Sequence, residues 1–337
     1  MMRQRRIVLL CVVLCACLSA LGQEIGPVLH GTLRGKYEYQ TQEGEGRFQV
    51  RTARVSVSGS VLPEVDYKAE IDLCDEGVIK MLDAYTRLKP WRSFQFTIGQ
   101  MRVPFTIDAH RSPDQQYFAN RSFIAKQVGN VRDVGAMAAY EFHVGFPIRL
   151  QAGLFNGSGL TGQKDYWTKG TNFSSKVQLF LPFHTDVEMS VQKISPNHRT
   201  IMMYDGGLTY HRGDFLCEAE YLYKHYSHNA YKDVHSVEAF ANYDIRVRRK
   251  DCLIKKVSPL VRYDFMTDHS DGTENDNGSF VTTDYQRHRL TGGVTLSLGK
   301  PFITDIRINY EKYFYRHDGV PKTSEKDKIV VEFMTHF

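Results

Sequence analysis

The chain has 337 residues, of which 42% are hydrophobic and 24% are charged, and this composition excludes intrinsic disorder as the main state. Aromatic residues make up 12% of the chain, and the sequence is poor in the Ala- and Leu-rich runs of helices, which favours β-structure. The formal net charge of +5 falls to +2 without the first 22 residues, leaving 40 basic and 38 acidic side chains, so charge gives no argument for a nucleic-acid partner.

Residues 1–22 have the features of a secretory signal peptide. Three arginines precede an apolar run over residues 7–18, and Ala20-Leu21-Gly22 supplies small residues before the expected cleavage site. A lipoprotein signal around Cys15 and Cys17 is the alternative. We therefore predict a cleaved signal peptide over 1–22, export from the cytoplasm, and one mature domain over 23–337.

Alternation of apolar and polar residues dominates the rest of the chain. In residues 29–39, for example, Leu29 and Leu33 lie on one face, and Arg34 and Lys36 lie on the other. No stretch reaches 18 consecutive apolar residues, so the pattern predicts β-strands rather than transmembrane helices. Sixteen segments show it, near 29–40, 48–60, 65–73, 82–89, 93–102, 133–142, 147–156, 173–182, 185–193, 203–212, 214–226, 233–245, 256–266, 284–298, 303–315 and 326–337.

The predicted connections alternate in length along the chain. Those after even-numbered strands are short, with 246–255 as the exception, whereas those after odd-numbered strands are longer. The longest, 103–132, is the third of the longer set, and 74–81 is the second. Short turns at one end and long loops at the other are typical of a transmembrane antiparallel up-and-down β-barrel.

The faces of the predicted strands also suit a barrel in a membrane. Sixteen closed strands leave an aqueous lumen for the charged face, while lipid receives the apolar face. A terminal Phe337 on an alternating strand matches the insertion signal of bacterial outer-membrane proteins. A soluble β-sandwich or propeller is the alternative, although no blade-length repeat is visible. The predicted fold is thus an all-β, sixteen-stranded outer-membrane barrel of a Gram-negative bacterium.

Four short motifs follow one another between residues 83 and 157. They are Asp83-Ala84-Tyr85, Gly99-Gln100-Met101-Arg102-Val103-Pro104-Phe105, Arg132-Asp133-Val134-Gly135 and Phe155-Asn156-Gly157. Their order and spacing resemble the phosphate-selective porin O and P family, over about residues 30–160. The resemblance implies a porin, often trimeric, that works by passive diffusion of small hydrophilic solutes and needs no cofactor. It also implies that the long third outer loop folds into the lumen and narrows it.

The long loop carries signals of its own. Ser112-Pro113-Asp114-Gln115 combines an N-cap serine, a first-turn proline and a glutamine three residues on, which predicts a short helix near 113–125. A net positive constriction would attract anions, and arginine adds bidentate contacts to phosphate. The predicted constriction and anion-binding residues are Arg102, Arg111, Arg121, Lys126 and Arg132. The predicted lumen-wall residues are Arg34, Lys36, Arg54, Lys68, Arg87 and Arg149.

Several other interpretations stay open. Each basic residue could simply pair with a nearby carboxylate, such as Glu38 or Glu70. Ser227, beside His225 and His228, distantly resembles the site of outer-membrane phospholipases. The acidic stretch from Asp268 to Asp276 has oxygen ligands for Ca²⁺ but lacks the spacing of a known calcium loop. A plugged barrel that acts as an adhesin is a further alternative. We predict no enzyme activity and no metal site. The predicted partners are outer-membrane lipid and small anionic solutes such as phosphate, and the predicted assembly is a homotrimer.

Overall fold

The computed structural model describes residues 26–127, 132–195, 199–249, 251–276, 278–299, 303–316 and 323–337. The predicted signal peptide over 1–22 lies outside these residues. Within them, seventeen strand segments form a single antiparallel sheet, which closes because the first segment pairs with the last. None of the helices in this described part is long and apolar enough to cross a membrane.

The strands follow one another around the sheet in chain order. They are β1 (Val28–Gln40), β2 (Gly46–Leu62), β3 (Val65–Asp75), β4 (Val78–Trp91), β5 (Phe94–Arg102), β6 (Arg132–His143), β7 (Pro147–Phe155), β8 (Asn172–Leu181), β9 (Thr185–Ile194), β10 (Ile201–Arg212), β11 (Phe215–Tyr226), β12 (Val234–Tyr243), β13 (Ile245–Arg246), β14 (Ile254–Met266), β15 (Arg287–Leu298), β16 (Ile303–Tyr315) and β17 (Lys328–His336).

The two-residue segment β13 continues β12 in the same register against β14. The pairing of β12 with β14 ends at Asn242↔Leu260 and resumes at Ile245↔Val257. Pro259 lies opposite this gap and has no backbone N–H to donate, so the ladder is interrupted there. The barrel therefore has sixteen spanning strands, as predicted.

Every predicted strand overlaps an observed one, with ends within four residues of the predicted ends. The second longer loop, predicted over 74–81, is wrong. Strands β3 and β4 extend towards each other and are joined by Glu76 and Gly77 alone, with φ angles of 56° and 96°. Two successive residues with positive φ form the tight turn that suits a twisted hairpin.

The other connections confirm the predicted sorting by length. At one end of the barrel, successive strands are separated by residues 63–64, 92–93, 144–146, 182–184, 213–214, 247–253 and 299–302. At the other end they are separated by residues 41–45, 76–77, 103–131, 156–171, 195–200, 227–233, 267–286 and 316–327. We call these the short-turn end and the long-loop end.

Burial in this barrel is the reverse of burial in a soluble protein. Phe48 is 88% exposed and Leu29 is 60% exposed, whereas Arg307 and Glu332 are 1% and 0% exposed. Water would penalise such an apolar outer surface, and a bilayer would stabilise it. The inward faces, by contrast, hold paired charges.

The last residue completes the closure of the sheet. The backbone N–H of Gly31 donates to the Phe337 carbonyl at 2.8 Å, and the Phe337 N–H donates back to Gly31 at 3.0 Å. A Cβ at position 31 would lie 2.2 Å from the Phe337 ring. Glycine thus lets the terminal ring cover the backbone of β1.

The helix predicted near 113–125 is wrong in extent. The capping box between Ser112 and Gln115 does form, but it begins only a single 3₁₀ turn over Pro113–Gln115, and the backbone is extended again at Gln116. A separate short helix, α1, spans Phe123–Gln127. The backbone groups between the two turns bind wall side chains, as described below, and are therefore not available for a continuous helix.

Candidate functional site

The four sequence motifs meet at the base of the long connection after β5. The Arg132 guanidinium donates to Asp83 at 2.7 Å. Gly99 pairs with Gly135 across β5 and β6. Gly99 has a φ of +129°, and a Cβ there would lie 2.3 Å from the Ala84 carbonyl oxygen, so only glycine fits without strain.

Asp133 links this base to the next long connection. Its carboxylate accepts the backbone N–H groups of Gly157 at 2.6 Å and Gly159 at 3.2 Å. The Ser158 hydroxyl donates to the same group at 3.3 Å. The motif residues therefore fix the long-loop ends of β4 to β7 and both chain segments that leave them.

The first part of the connection binds the inward faces of β8, β9 and β11. The Lys176 ammonium donates to the Thr106 carbonyl at 2.7 Å, and the Thr106 N–H donates to the Ser190 hydroxyl at 3.1 Å. The Ile107 N–H donates to a Glu220 oxygen at 2.6 Å. Strands well removed from β5 along the sheet thus hold the backbone of this segment.

The later part of the connection binds inward-facing side chains of β1, β14, β15 and β16. Arg34 donates to the Ala119 carbonyl at 2.8 Å, while the Ala119 N–H donates to Asn309 Oδ1 at 2.9 Å. Arg289 donates to the Arg121 carbonyl at 2.7 Å. We call residues 103–127 the crossing segment, because its contacts reach strands all around the closed sheet.

Aromatic side chains of the crossing segment are covered by arginines. The Arg262 guanidinium lies 4.3 Å from the centre of the Phe118 ring. Phe123 has Arg287 at 4.7 Å and Arg289 at 4.6 Å from its ring centre. Guanidinium groups over aromatic faces are attractive, so apolar residues are accommodated in an otherwise charged interior.

A basic cavity of about 640 Å³ lies between the crossing segment and the long-loop end. We call it the outer cavity. Nine of its lining side chains are basic and three are acidic, which gives a strongly positive surface. The basic ones are Lys36, Arg47, Arg51, Lys80, Arg121, Lys126, Arg132, Arg289 and Lys328, and the acidic ones are Glu38, Asp75 and Glu76.

Arg121 differs from the other basic residues of the outer cavity. Its recorded hydrogen bonds within the described residues go to the backbone carbonyls of Asp108 and Arg111 rather than to a carboxylate. Burial lowers the pKa of Arg121 to about 10; the Asp108 carboxylate opposes this shift, and the nearby positive charges of Arg34 and Arg54 add to it. Asp108 therefore compensates its charge only in part, and a bound anion would be stabilised beside it.

The remaining predicted constriction residues have defined partners. Arg111 pairs with Glu218, and its guanidinium lies 5.2 Å from the centre of the Tyr117 ring. Burial alone would lower the pKa of Arg111, but Glu218 outweighs it and raises that pKa. Arg102 donates to the His110 carbonyl. Lys126 pairs with Glu325 at 3.0 Å, and Arg132 pairs with both Asp83 and Glu70. Lys126 and Arg132 line the outer cavity, whereas Arg102 and Arg111 do not.

The predicted wall residues fall into three groups. Lys36 lines the outer cavity and pairs with Glu38 at 2.8 Å, whereas Arg34 is buried against Glu332 at 2.6 Å. Arg54 and Lys68 line a smaller cavity of about 210 Å³ on the short-turn side, together with Glu70, Ser112, Asp114, His30 and His336. Arg87 and Arg149, like Arg34, lie in neither cavity. Arg87 donates to the Thr97 hydroxyl at 3.2 Å, and Arg149 pairs with Glu141 at 3.1 Å.

Five basic residues of the outer cavity were missed by the sequence analysis. They are Arg47, Arg51, Lys80, Arg289 and Lys328. All five lie among the first six residues of a strand that begins at the long-loop end. Counting basic residues at those positions, rather than within the long loop alone, would have found them.

In the structure, the residues of the alternative phospholipase and calcium sites have other partners. The Ser227 hydroxyl accepts the Thr200 N–H at 3.1 Å, and His225 Nδ1 lies 2.8 Å from Asp233 on the exposed surface. Among the described residues, no three His, Cys, Asp or Glu side chains are grouped so that they could hold a metal ion. The acidic stretch near Asp271 instead binds its own backbone, with the Thr273 N–H donating to Asp271 at 2.9 Å.

A profile of the family described as phosphate-selective porin O and P matches residues 30–199, half of the chain. The chain belongs to this family. No curated protein sequence matches this chain. The matched range contains all four motifs and the crossing segment, so the family signature coincides with the structural base described above.

Solved structures, an anion-selective porin among them, share the fold of this chain. The anion-selective porin from Comamonas acidovorans has a TM-score of 0.61 at 11% identity, covering 93% of this chain and 99% of that chain. Salmonella typhi OmpF in complex with daunomycin has a TM-score of 0.60 at 12% identity, covering 93% and 98%. The trimer form of Vibrio cholerae OmpT has a TM-score of 0.59 at 12% identity, covering 94% and 99%. Its membership of the phosphate-selective porin O and P family, together with this shared fold, makes the chain an outer-membrane porin.

Proposed function

We propose that this porin passes small hydrophilic anions, phosphate among them, by passive diffusion through a lumen narrowed by the crossing segment. The observation that carries this proposal is the outer cavity, with nine basic and three acidic lining side chains. We propose further that the signal peptide over 1–22 directs export of the chain, and that the barrel lies in outer-membrane lipid. No step of it requires a catalytic group.

The electrostatics of the outer cavity favour anions over cations. A cavity of one sign with low-dielectric walls concentrates counter-ions and speeds their entry. Most of its basic side chains are partly neutralised by carboxylates, as for Lys80 with Asp75 at 2.8 Å. Arg121 supplies a positive charge whose recorded hydrogen bonds go to backbone carbonyls rather than to a carboxylate, and its planar group suits an oxyanion. Weak, shared binding of this kind allows an anion to enter and to leave again.

The test is single-channel recording in a planar bilayer with the refolded mature chain. We expect an anion-biased reversal potential in a KCl gradient, and a chloride current that falls as phosphate is added. Arg121→Ala should reduce both effects several-fold, because one charge at a narrow point changes the local potential strongly. Arg149→Ala is the matched control, since Arg149 lies outside both cavities, and we expect it to behave as wild type.

Other results would change the conclusion. A steady conductance without phosphate block in wild type would retain a general porin and remove phosphate as a solute. A folded barrel that carries no current would favour a plugged barrel acting as an adhesin. Lipase activity that disappears in Ser227→Ala would point to the phospholipase alternative.

We also propose a homotrimer as the assembly. The proposal is supported by the family membership and by the fold shared with Vibrio cholerae OmpT, which is described in a trimer form. Sedimentation of the detergent-solubilised protein before and after heating would measure the mass of the particle. A monomer under all folding conditions would contradict the trimer and leave the channel function untouched.

A further inference from the structure

The two cavities of the lumen approach each other along β1, β2 and β3. We call the smaller one, of about 210 Å³, the inner cavity. On β1, Lys36 lines the outer cavity and Thr32 lines the inner cavity, with Arg34 as the inward-facing residue between them. On β3, Asp75 lines the outer cavity and Glu70 lines the inner cavity. Only a thin layer of side chains therefore separates the two cavities along this wall.

Glu70 makes the contacts that join the two cavity linings. Its Oε1 accepts a hydrogen bond at 3.1 Å from Arg132, which lines the outer cavity. Its Oε2 accepts a hydrogen bond from the Lys68 ammonium at 2.7 Å, and Oε1 also lies 3.5 Å from Arg54 Nη1. Both Lys68 and Arg54 line the inner cavity. Glu70 is thus a bridging carboxylate for three basic side chains, one from the outer cavity and two from the inner.

Arg54 has a donor that the bridging carboxylate does not satisfy. Its Nε donates to Asp72 at 3.0 Å, whereas its buried Nη1 makes no hydrogen bond within the described residues. An unpaired donor is unfavourable in a poorly solvated place, so an oxyanion that reached Nη1 would gain a charge-assisted hydrogen bond. The inner cavity beside it is also lined by four hydroxyl side chains and a further carboxylate, namely Thr32, Ser56, Ser58, Ser112 and Asp114.

Each of the three basic side chains also has a second carboxylate partner. Asp83 accepts from Arg132 at 2.7 Å and from Lys68 at 3.0 Å, while Asp72 accepts from Arg54. These partners would hold the basic groups in place if the bridging carboxylate moved away. With that carboxylate included, the cluster has three positive and three negative formal charges and is neutral. Without it, the cluster would carry a net charge of +1.

We propose that Glu70 is an internal counter-ion, which a permeating oxyanion replaces on Arg54, Lys68 and Arg132 as it passes between the outer and inner cavities. The inference rests on the proposed function, because it takes these cavities as the path of the anion. An oxyanion at this point would accept from the same donors as the Glu70 carboxylate and would compete with it. This competition keeps binding weak, so that the anion can leave again.

The experiment compares block by phosphate in wild type, Glu70→Gln and Glu188→Gln, recorded in planar bilayers. Glutamine at 70 keeps an acceptor oxygen but removes the negative charge. We expect the phosphate concentration that halves the chloride current to fall several-fold in Glu70→Gln, and the reversal potential in a KCl gradient to move further towards anions. Glu188→Gln makes the same change of net charge on β9, where Glu188 pairs with Lys176 at 2.5 Å and lines neither cavity. It should follow wild type.

The outcomes separate this inference from the proposed function. If phosphate blocks wild type, and blocks Glu70→Gln and Glu188→Gln at one and the same concentration, the anion porin stands and the counter-ion role of Glu70 is overturned. If phosphate blocks Glu70→Gln but not wild type, the counter-ion role stands and phosphate is removed as a solute of wild type. If phosphate blocks none of the three and none prefers anions, both proposals fail.

A second variant covers a failure of Glu70→Gln to fold, as judged by heat-modifiable migration. Glu70→Asp keeps the charge but shortens the side chain by one methylene group, so its carboxylate cannot reach all three basic side chains as glutamate does. We expect a smaller fall in the half-blocking phosphate concentration than glutamine would give. An unchanged concentration in Glu70→Asp would equally overturn the counter-ion role.

Discussion

At the residue scale, the inward charges of this barrel act mainly on each other and on one chain segment. Arg34 shows the general case, because it binds Glu332 and also the carbonyl of Ala119. The sequence could place Arg34 on a polar face by alternation alone. It could not show that the guanidinium is occupied, since both partners lie far away in the chain.

Asp133 allows a test of a charged side chain that binds a distant segment of the chain. Asp133→Ala removes the acceptor of the Gly157 and Gly159 N–H groups, and each unsatisfied group costs about 1–3 kcal/mol when buried. We expect a lower temperature for loss of the heat-modifiable form and faster proteolysis within 156–171. Asp133→Asn keeps one acceptor oxygen and should lose less.

The exposed Asp165, in the same connection, supplies the control for that test. Asp165→Asn should match wild type in both measurements, because the side chain is solvent-exposed and asparagine tolerates the positive φ of 54° at this position. If Asp133→Ala and wild type melt at the same temperature and are cleaved at the same rate, Asp133 does not hold the 156–171 connection in place.

At the element scale, the sixteen strands could be predicted because two solvents, lipid and lumen, impose a period of two on every strand. The crossing segment could not be predicted in the same way. Its turns are set by contacts with distant walls, so the local signal at Ser112–Gln115 gives one 3₁₀ turn instead of a helix. The interrupted strand at Pro259 likewise depends on what lies opposite in the sheet.

Substitutions at two adjacent glycines of β10 test how the crossing segment contacts this strand. A Cβ at Gly207 would lie 2.4 Å from Ile107 Cδ1 and 3.0 Å from the Ala219 carbonyl oxygen, whereas at Gly206 the nearest such atom is 4.0 Å away. We expect Gly207→Ala to displace the start of the segment and to give an unsteady conductance at neutral pH. Gly206→Ala should conduct as wild type does, and identical traces from both variants would contradict this seating.

At the scale of the whole molecule, the outer cavity is assembled from the beginnings of several strands and from the long loop. Three of its nine basic residues, Arg121, Lys126 and Arg132, were predicted for the constriction, and Lys36 was predicted for the wall. The other five come from β2, β4, β15 and β17, which meet only when the sheet closes. The sequence pattern gives the charge of each strand face, but it does not show which strand ends come together in the closed barrel.

The outward face gives a matched pair of substitutions on one strand. Leu33 lies near the middle of β1 and Leu29 near its end, and both are more than half exposed. In a bilayer, Leu33→Lys should cost about 2–4 kcal/mol and Leu29→Lys about 0–1 kcal/mol, because the penalty depends on depth. Denaturant unfolding of the barrel in lipid vesicles measures both, and equal losses would contradict a lipid-facing β1.

The pairing of β1 with β17 has a consequence for the timing of folding. Thr32 lies opposite His336, so the contact that closes the sheet joins residues 304 positions apart. Contacts of such sequence separation form slowly, because a very long loop must close first. A chain still being made therefore has two open sheet edges, and each would pair with any available strand. Both edges therefore stay open to such pairing until the final nine-residue strand is available to close the sheet.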